Sequence, residues 1–164
     1  MKRTLLAAFA AAGLAFVPAA FGEESTLGVT VGPEASFTAV DASPSLSQTG
    51  TNFASFTGTT NFTYKIRTTT TGGTGSITVA LTAFEVNGPA LADLSFSCTD
   101  AATLGSPCTS TVATTSAQNV ISFGADKHSA DVGNAGTAAW TLVDRPTTKT
   151  GTYTSVATFT ISAT

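Results

Sequence analysis

The chain closes with Gly151-Thr-Tyr-Thr-Ser-Val-Ala-Thr-Phe-Thr-Ile-Ser-Ala-Thr164, and this stretch sets the fold class. On an extended backbone Tyr153, Ser155, Ala157, Phe159 and Ile161 point one way. Thr152, Thr154, Val156, Thr158, Thr160 and Ser162 point the other. A period of two is what a strand shows when one face is in a core and the other in water. Threonine and aromatic residues also suit such a pleated, half-buried surface. The stretch is therefore expected to be the last strand of an all-β domain.

The same alternation recurs upstream. Ala138, Trp140 and Leu142 form one set, and Leu94, Phe96 and Cys98 another. Phe62, Tyr64 and Ile66 share a face over residues 61–69, and Ile77, Val79, Leu81 and Ala83 share one over 76–84. Between these two lies Thr71-Gly-Gly-Thr-Gly75, whose glycines suit a tight turn. Residues 61–84 thus predict a β-hairpin. Shorter strands are expected at 35–40, 51–56, 109–114 and 119–123. Loops are expected at 41–45, 57–60, 85–92, 124–136 and 144–151, where Gly, Pro, Asp and Ser collect. About seven to nine short antiparallel strands with turn residues between them predict an immunoglobulin-like Greek-key β-sandwich. The antibody arrangement of Cys, Trp and Cys is absent, because Trp140 follows both cysteines.

At the other end, Lys2 and Arg3 precede an apolar run, Thr4 to Val17, and then Pro18-Ala-Ala-Phe-Gly22. This is the pattern of a secretory signal peptide over residues 1–22, cleaved after Gly22 or Ala20. The run is short for a membrane span of about 20 residues. The mature chain, 23–164, is expected to be a single domain, secreted or held at the cell surface, or periplasmic if retained. Cleavage leaves five basic residues against ten acidic ones, a net charge of −5. Nucleic acid is an unsuited partner, since its phosphates call for a basic patch. Export makes a Cys98–Cys108 disulfide the expectation. No metal-ligand spacing joins those cysteines to the single histidine, His128.

No cofactor motif and no catalytic constellation stand out. His128, Ser129, Asp126 and Asp131 lie close in sequence, but neighbours on an extended chain diverge, and no Gly-x-Ser-x-Gly elbow presents a nucleophile. Asp126, Asp131 and Asn134 offer oxygens to calcium without the ordered spacing that a hard cation requires. Glu85 beside Phe84 reads as a strand-borne acid whose pKa burial would raise, with no second acid to pair with. Phe53, Phe56, Tyr64, Phe84, Trp140 and Tyr153 supply either core or, if exposed in a row, a carbohydrate-stacking platform. Asn61-Phe-Thr63 matches a glycosylation acceptor, a pattern that threonine-rich chains also produce by chance.

Glu23 to Val31 reads as a first strand, with Leu27, Val29 and Val31 on one side and Gly32-Pro33 as a stop. A short alternating arm of this kind pairs either with its own sheet or with the open edge of a neighbour. The second arrangement builds filaments when the contact does not close into a ring.

The signal peptide, the threonine-rich alternating strands and the ending Gly151-Thr-Tyr-Thr-Ser-Val-Ala-Thr-Phe-Thr-Ile161 resemble secreted bacterial pilin-like and spore-coat-U-like sandwich proteins. The resemblance implies a non-enzymatic structural or adhesive role at a bacterial surface, with copies of the chain as partners. Two features depart from the pilin pattern: Ala163 stands where a penultimate tyrosine is common, and the cysteines lie mid-chain. The other expectation is an extracellular carbohydrate-binding sandwich module.

Overall fold

The computed structural model describes residues 26–164; the leader assigned to residues 1–22 lies outside them. Val31–Thr164 forms one compact unit, and Thr26–Thr30 falls outside it. The strands in chain order are β1 (Glu34–Val40), β2 (Ser47–Gln48), β3 (Phe56–Arg67), β4 (Gly75–Leu81), β5 (Leu94–Asp100), β6 (Ser106–Pro107), β7 (Thr111–Val112), β8 (Gln118–Phe123), β9 (Asn134–Leu142) and β10 (Ala157–Ala163). A short 3₁₀ turn, Leu91–Asp93, leads into β5.

All strand pairs are antiparallel, in two sheets. One runs β1-β3-β9-β5-β7, with β2 also on β3; the other runs β10-β4-β8-β6. The fold is the all-β sandwich expected from the alternation. After β3, successive long strands change sheets.

The inward sets meet between the sheets. Phe62, Tyr64, Ile66, Ile77, Val79, Leu81, Leu94, Phe96, Val120, Ile121, Phe123, Trp140 and Leu142 are all buried. Each large side chain removed from water in this way contributes about 1.5–3 kcal/mol. Rings pack within the set: Phe96 lies 5.2 Å from Trp140, and Tyr64 lies 5.3 Å from Phe123. Gly136 faces Phe62 across the sheet, and a Cβ there would come within 2.3 Å of the ring. The outward faces carry Thr57, Thr59, Thr63, Thr137, Thr141, Thr158 and Thr160, so the threonine content lies largely on the wet side of the strands.

Polar groups inside this core are satisfied. Trp140 Nε1 donates to the buried Thr60 hydroxyl at 2.9 Å. Asp100, at the end of β5, is buried and accepts from the Tyr64 hydroxyl at 2.9 Å, Gly105 N at 2.7 Å and Ala102 N at 3.3 Å. Burial first, and the Asp100 carboxylate next, hold the Tyr64 phenol well above its ordinary pKa. The pair ties β3 to the 101–105 turn.

Three expectations are corrected. Residues 61–84 are not a hairpin, because β3 and β4 lie in different sheets and the Gly72 turn (φ +70°) carries the chain across the core. Both edges of β3 are taken by β1 and β9, and both edges of β4 by β10 and β8, so non-local pairing replaces the local one. Residues 57–60, read as a turn, are inside β3, whereas most of 51–56 is a loop with Asn52 and Phe53 at positive φ. The first strand, read at 23–31, is not formed over the described part: Thr26–Pro33 carries no strand, and pairing begins at Glu34.

One side of the sandwich is covalently closed. Cys98 on β5 and Cys108 just after β6 form the expected disulfide, with Cα atoms 5.0 Å apart. Cys98 N also donates to Cys108 O at 3.2 Å, and Cys108 N to Val120 O at 2.8 Å, so this strap spans both sheets.

Replacing Tyr64 by Phe leaves the buried Asp100 carboxylate one donor short. Chemical denaturation should show a loss of about 1–3 kcal/mol with an unchanged m-value. An unchanged midpoint would mean that the hydroxyl contributes nothing to the core.

Candidate functional site

The side of the sandwich opposite the disulfide is bounded by β1 and β10, the end strands of the two sheets. Their inward side chains, Ala35 and Phe37 on β1 and Ala157, Phe159, Ile161 and Ala163 on β10, are only partly buried although they pack on the core. Phe62 links the two strands, with Phe37 edge-on at 6.0 Å and Phe159 at 5.7 Å.

The hydrogen-bond phase of β10 is fixed at its ends. Thr82 N donates to Val156 O at 3.0 Å, and Thr164 N donates to Thr74 O at 2.7 Å. In an antiparallel ladder such bonded pairs recur at every second residue. The even-numbered residues of β10 therefore bond to β4, while Ala157, Phe159, Ile161 and Ala163 turn their N–H and C=O groups away from it. Among the described residues no strand is hydrogen-bonded to that side, although β1 runs close to it.

Edges exposed in this way recruit other chains unless they are blunted by charge, proline, bulges or short length. The remaining edges are blunted. β2, β6 and β7 have two residues each, and β6 contains Pro107. β1 carries Glu34, paired with Arg67 at 3.3 Å, and its register shifts between Phe37 and Ala39. β10 has seven residues, an unbroken register, and neither charge nor proline. The sequence held a signal for this: no charged residue follows Lys149.

The arm residues named in the sequence are exposed: Leu27 at 99%, Val29 at 87% and Val31 at 62%. Contiguous exposed apolar surface marks a binding site more often than scattered exposed residues do. The base of the arm is held, since Arg67 Nε donates to Gly32 O at 2.7 Å while its Nη2 pairs with Glu34. This clamp was not legible in the sequence, because Arg67 and Gly32 are 35 positions apart.

The other candidates are placed differently. The Ser129 hydroxyl accepts from Ile66 N and donates to Ile66 O, so it is committed to backbone. His128 and Asp126 lie 3.0 Å apart in an exposed pair. The Asn134 amide oxygen accepts from Ala130 N, and Asp131 is exposed. Among the described residues no three His, Cys, Asp or Glu side chains gather as a metal site. Tyr64 and Trp140 are core, Phe56, Phe84 and Tyr153 are partly buried, and Phe53 is the one exposed aromatic of the six considered for stacking. The Asn61 amide is held by Asp41 and Thr137 on the outer face of β3. No described helix is long and apolar enough to cross a membrane.

Glu85 requires a correction. It lies beyond the end of β4, exposed, and accepts from both the hydroxyl and the backbone N of Thr154. Those bonds, the hydroxyl first, hold its pKa below the ordinary glutamate value rather than above it. Together with Ser155 and Val156 bonding to Thr82, they anchor the extended segment that leads into β10. The alternation of 152–162 thus persists, but the ladder itself starts at Ala157 because side chains replace backbone bonds before it.

No known family model matches the chain, and no curated protein or solved structure is detectably similar to it.

A lowered Glu85 pKa means that this anchor is intact above the ordinary glutamate range, near pH 4.3, and is lost as pH falls through the folded-state value. Thermal melts from pH 7 to pH 3 should therefore show a smaller acid-induced fall in Tm for Glu85→Gln than for the unaltered chain. Parallel curves would show that the anchor carries no stability.

Proposed function

We propose that this chain is a secreted, non-enzymatic structural or adhesive protein of the cell surface that assembles with its own copies by strand addition. The observation that carries this reading is the coexistence of an exposed alternating arm, Leu27, Val29 and Val31, with a long unguarded edge, β10. A strand pattern that finds no strand within the described chain is a donor, and an edge with free backbone groups and half-covered apolar side chains is an acceptor. Donor and acceptor are different surfaces, so each copy can give to one neighbour and receive from another, which generates a filament when the geometry does not close. The signal-peptide pattern read in residues 1–22 and the resemblance to pilin-like and spore-coat-U-like proteins support this reading of an assembly outside the cell. The carbohydrate-binding alternative has less support, because its discriminating feature is a row of exposed aromatics and only Phe53 stands out.

Electron microscopy and size-exclusion chromatography of the mature chain, with and without residues 23–31, test the reading. The intact chain should form filaments or a concentration-dependent ladder of oligomers, and the shortened chain should remain a folded monomer. A strictly monomeric intact chain at high concentration would refute self-assembly.

A further inference from the structure

We infer that the polar cleft between residues 85–93 and 143–151 binds the carboxylate of a uronic acid residue in an acidic polysaccharide, through Arg145 and Lys149. The cleft lies within one copy of the chain, so this inference goes beyond self-assembly and does not depend on it.

Two loops build the cleft. One follows β4 and contributes Asn87 and Asp93; the other follows β9 and contributes Arg145, Thr147, Thr148 and Lys149. The walls are joined to each other. Arg145 donates to Asp93 Oδ1 from Nε at 3.0 Å and from Nη2 at 2.7 Å. Val143 N donates to Asp93 O at 3.0 Å. Tyr153 packs against both loops: a Cβ on Gly88 would come within 2.7 Å of its ring, and one on Gly151 within 3.1 Å. The Tyr153 hydroxyl donates to Lys149 O at 2.9 Å. Each loop also turns on its own backbone, with Gly88 N donating to Glu85 O and Thr148 N to Arg145 O, both at 2.9 Å. A cleft ordered before its ligand arrives loses less entropy on binding.

The order of charges across the cleft selects an anion. The Asp93 side chain is 14% exposed and that of Arg145 57%, so the guanidinium is presented to solvent with the carboxylate behind it. Both bonds end on one carboxylate oxygen, which leaves the other guanidinium N–H groups for a ligand. Lys149 has no carboxylate within ion-pair reach among the described residues. The acids next to the cleft are engaged elsewhere, Glu85 with Thr154 and Asp144 with Gln48. Two cations thus face solvent beside one neutralised carboxylate, in a mature chain whose acidic residues outnumber its basic ones.

The remaining groups define the body that carries the charge. The Asn87 amide and the Thr147 and Thr148 hydroxyls both donate and accept, which suits sugar hydroxyls. A planar carboxylate matches the guanidinium fork. The Tyr153 ring is taken up by Gly88 and Gly151, so recognition here is ionic and needs no stacking platform.

Titration calorimetry of the mature chain with trigalacturonate tests the assignment. Binding should occur at a single site per chain and weaken as salt rises. Lys149→Ser changes an exposed side chain and should weaken binding about tenfold, the loss of one charge-assisted bond. Lys65→Ser, on exposed β3 surface outside the cleft, should leave it unchanged. Neutral galactotriose should bind more weakly than trigalacturonate by about tenfold or more. Equal affinity for galactotriose, an unchanged affinity in Lys149→Ser, an equal loss in Lys65→Ser, or no binding at millimolar trigalacturonate would each overturn the inference. Displacement of trigalacturonate by an equal concentration of inorganic phosphate would make the cleft a general oxyanion site and overturn the uronate assignment. Size-exclusion chromatography of the same samples reports assembly separately, so either reading can fail alone.

Discussion

A β-sheet ends in a row of backbone donors and acceptors that must be paired, covered or made unattractive, and this sandwich treats its two sides differently. On one side the Cys98–Cys108 strap and the bonds from Cys98 and Cys108 to opposite sheets hold β5, β6 and β8 together. On the other side β1 and β10 run close together without pairing, and Phe37 and Phe159 pack on Phe62 of β3 between them. The closed side supplies rigidity without a large core. The open side leaves apolar surface half covered and the outer edge of a seven-residue strand without a hydrogen-bonded neighbour among the described residues. That asymmetry makes β10 more than the last strand of the fold.

What the sequence disclosed was phase, and what it withheld was partnership. The alternations of Phe62-Tyr64-Ile66, Ile77-Val79-Leu81 and Ala157-Phe159-Ile161 each face the core as read, because burial of one strand face is a local property of a period-2 pattern. Which strand lies beside which is decided by competition among distant segments. The glycine turn at 71–75 looks like a hairpin, yet β3 and β4 each find two other partners, and the turn becomes a bridge between sheets. The same limit applies to Glu85. Its apolar neighbour Phe84 suggested burial, while the partner that matters, Thr154, is 69 residues away.

The arm is the instructive exception. Leu27, Val29 and Val31 have as clear an alternation as several formed strands, and they are exposed. A local pattern without a local fold is informative, since consistency across levels is the rule in folded chains and departures concentrate where function lies. The contrast between β1 and β10 belongs to the same logic. One edge is bent by a shifted register and marked by the Glu34–Arg67 pair, and the other is straight and uncharged. Arg67 joins the two features, since it pairs with Glu34 on the guarded edge and holds Gly32 at the base of the arm.

The central claim, that β10 is an open edge awaiting a strand, is tested most directly by amide hydrogen exchange resolved along residues 157–163. In chain lacking residues 23–31, Phe159 and Ile161 should exchange rapidly while Thr158 and Thr160, bonded to β4, exchange slowly. In the assembled full mature chain the fast pair should become protected. Slow exchange at Phe159 and Ile161 in the shortened monomer, or no change on assembly, would contradict the account.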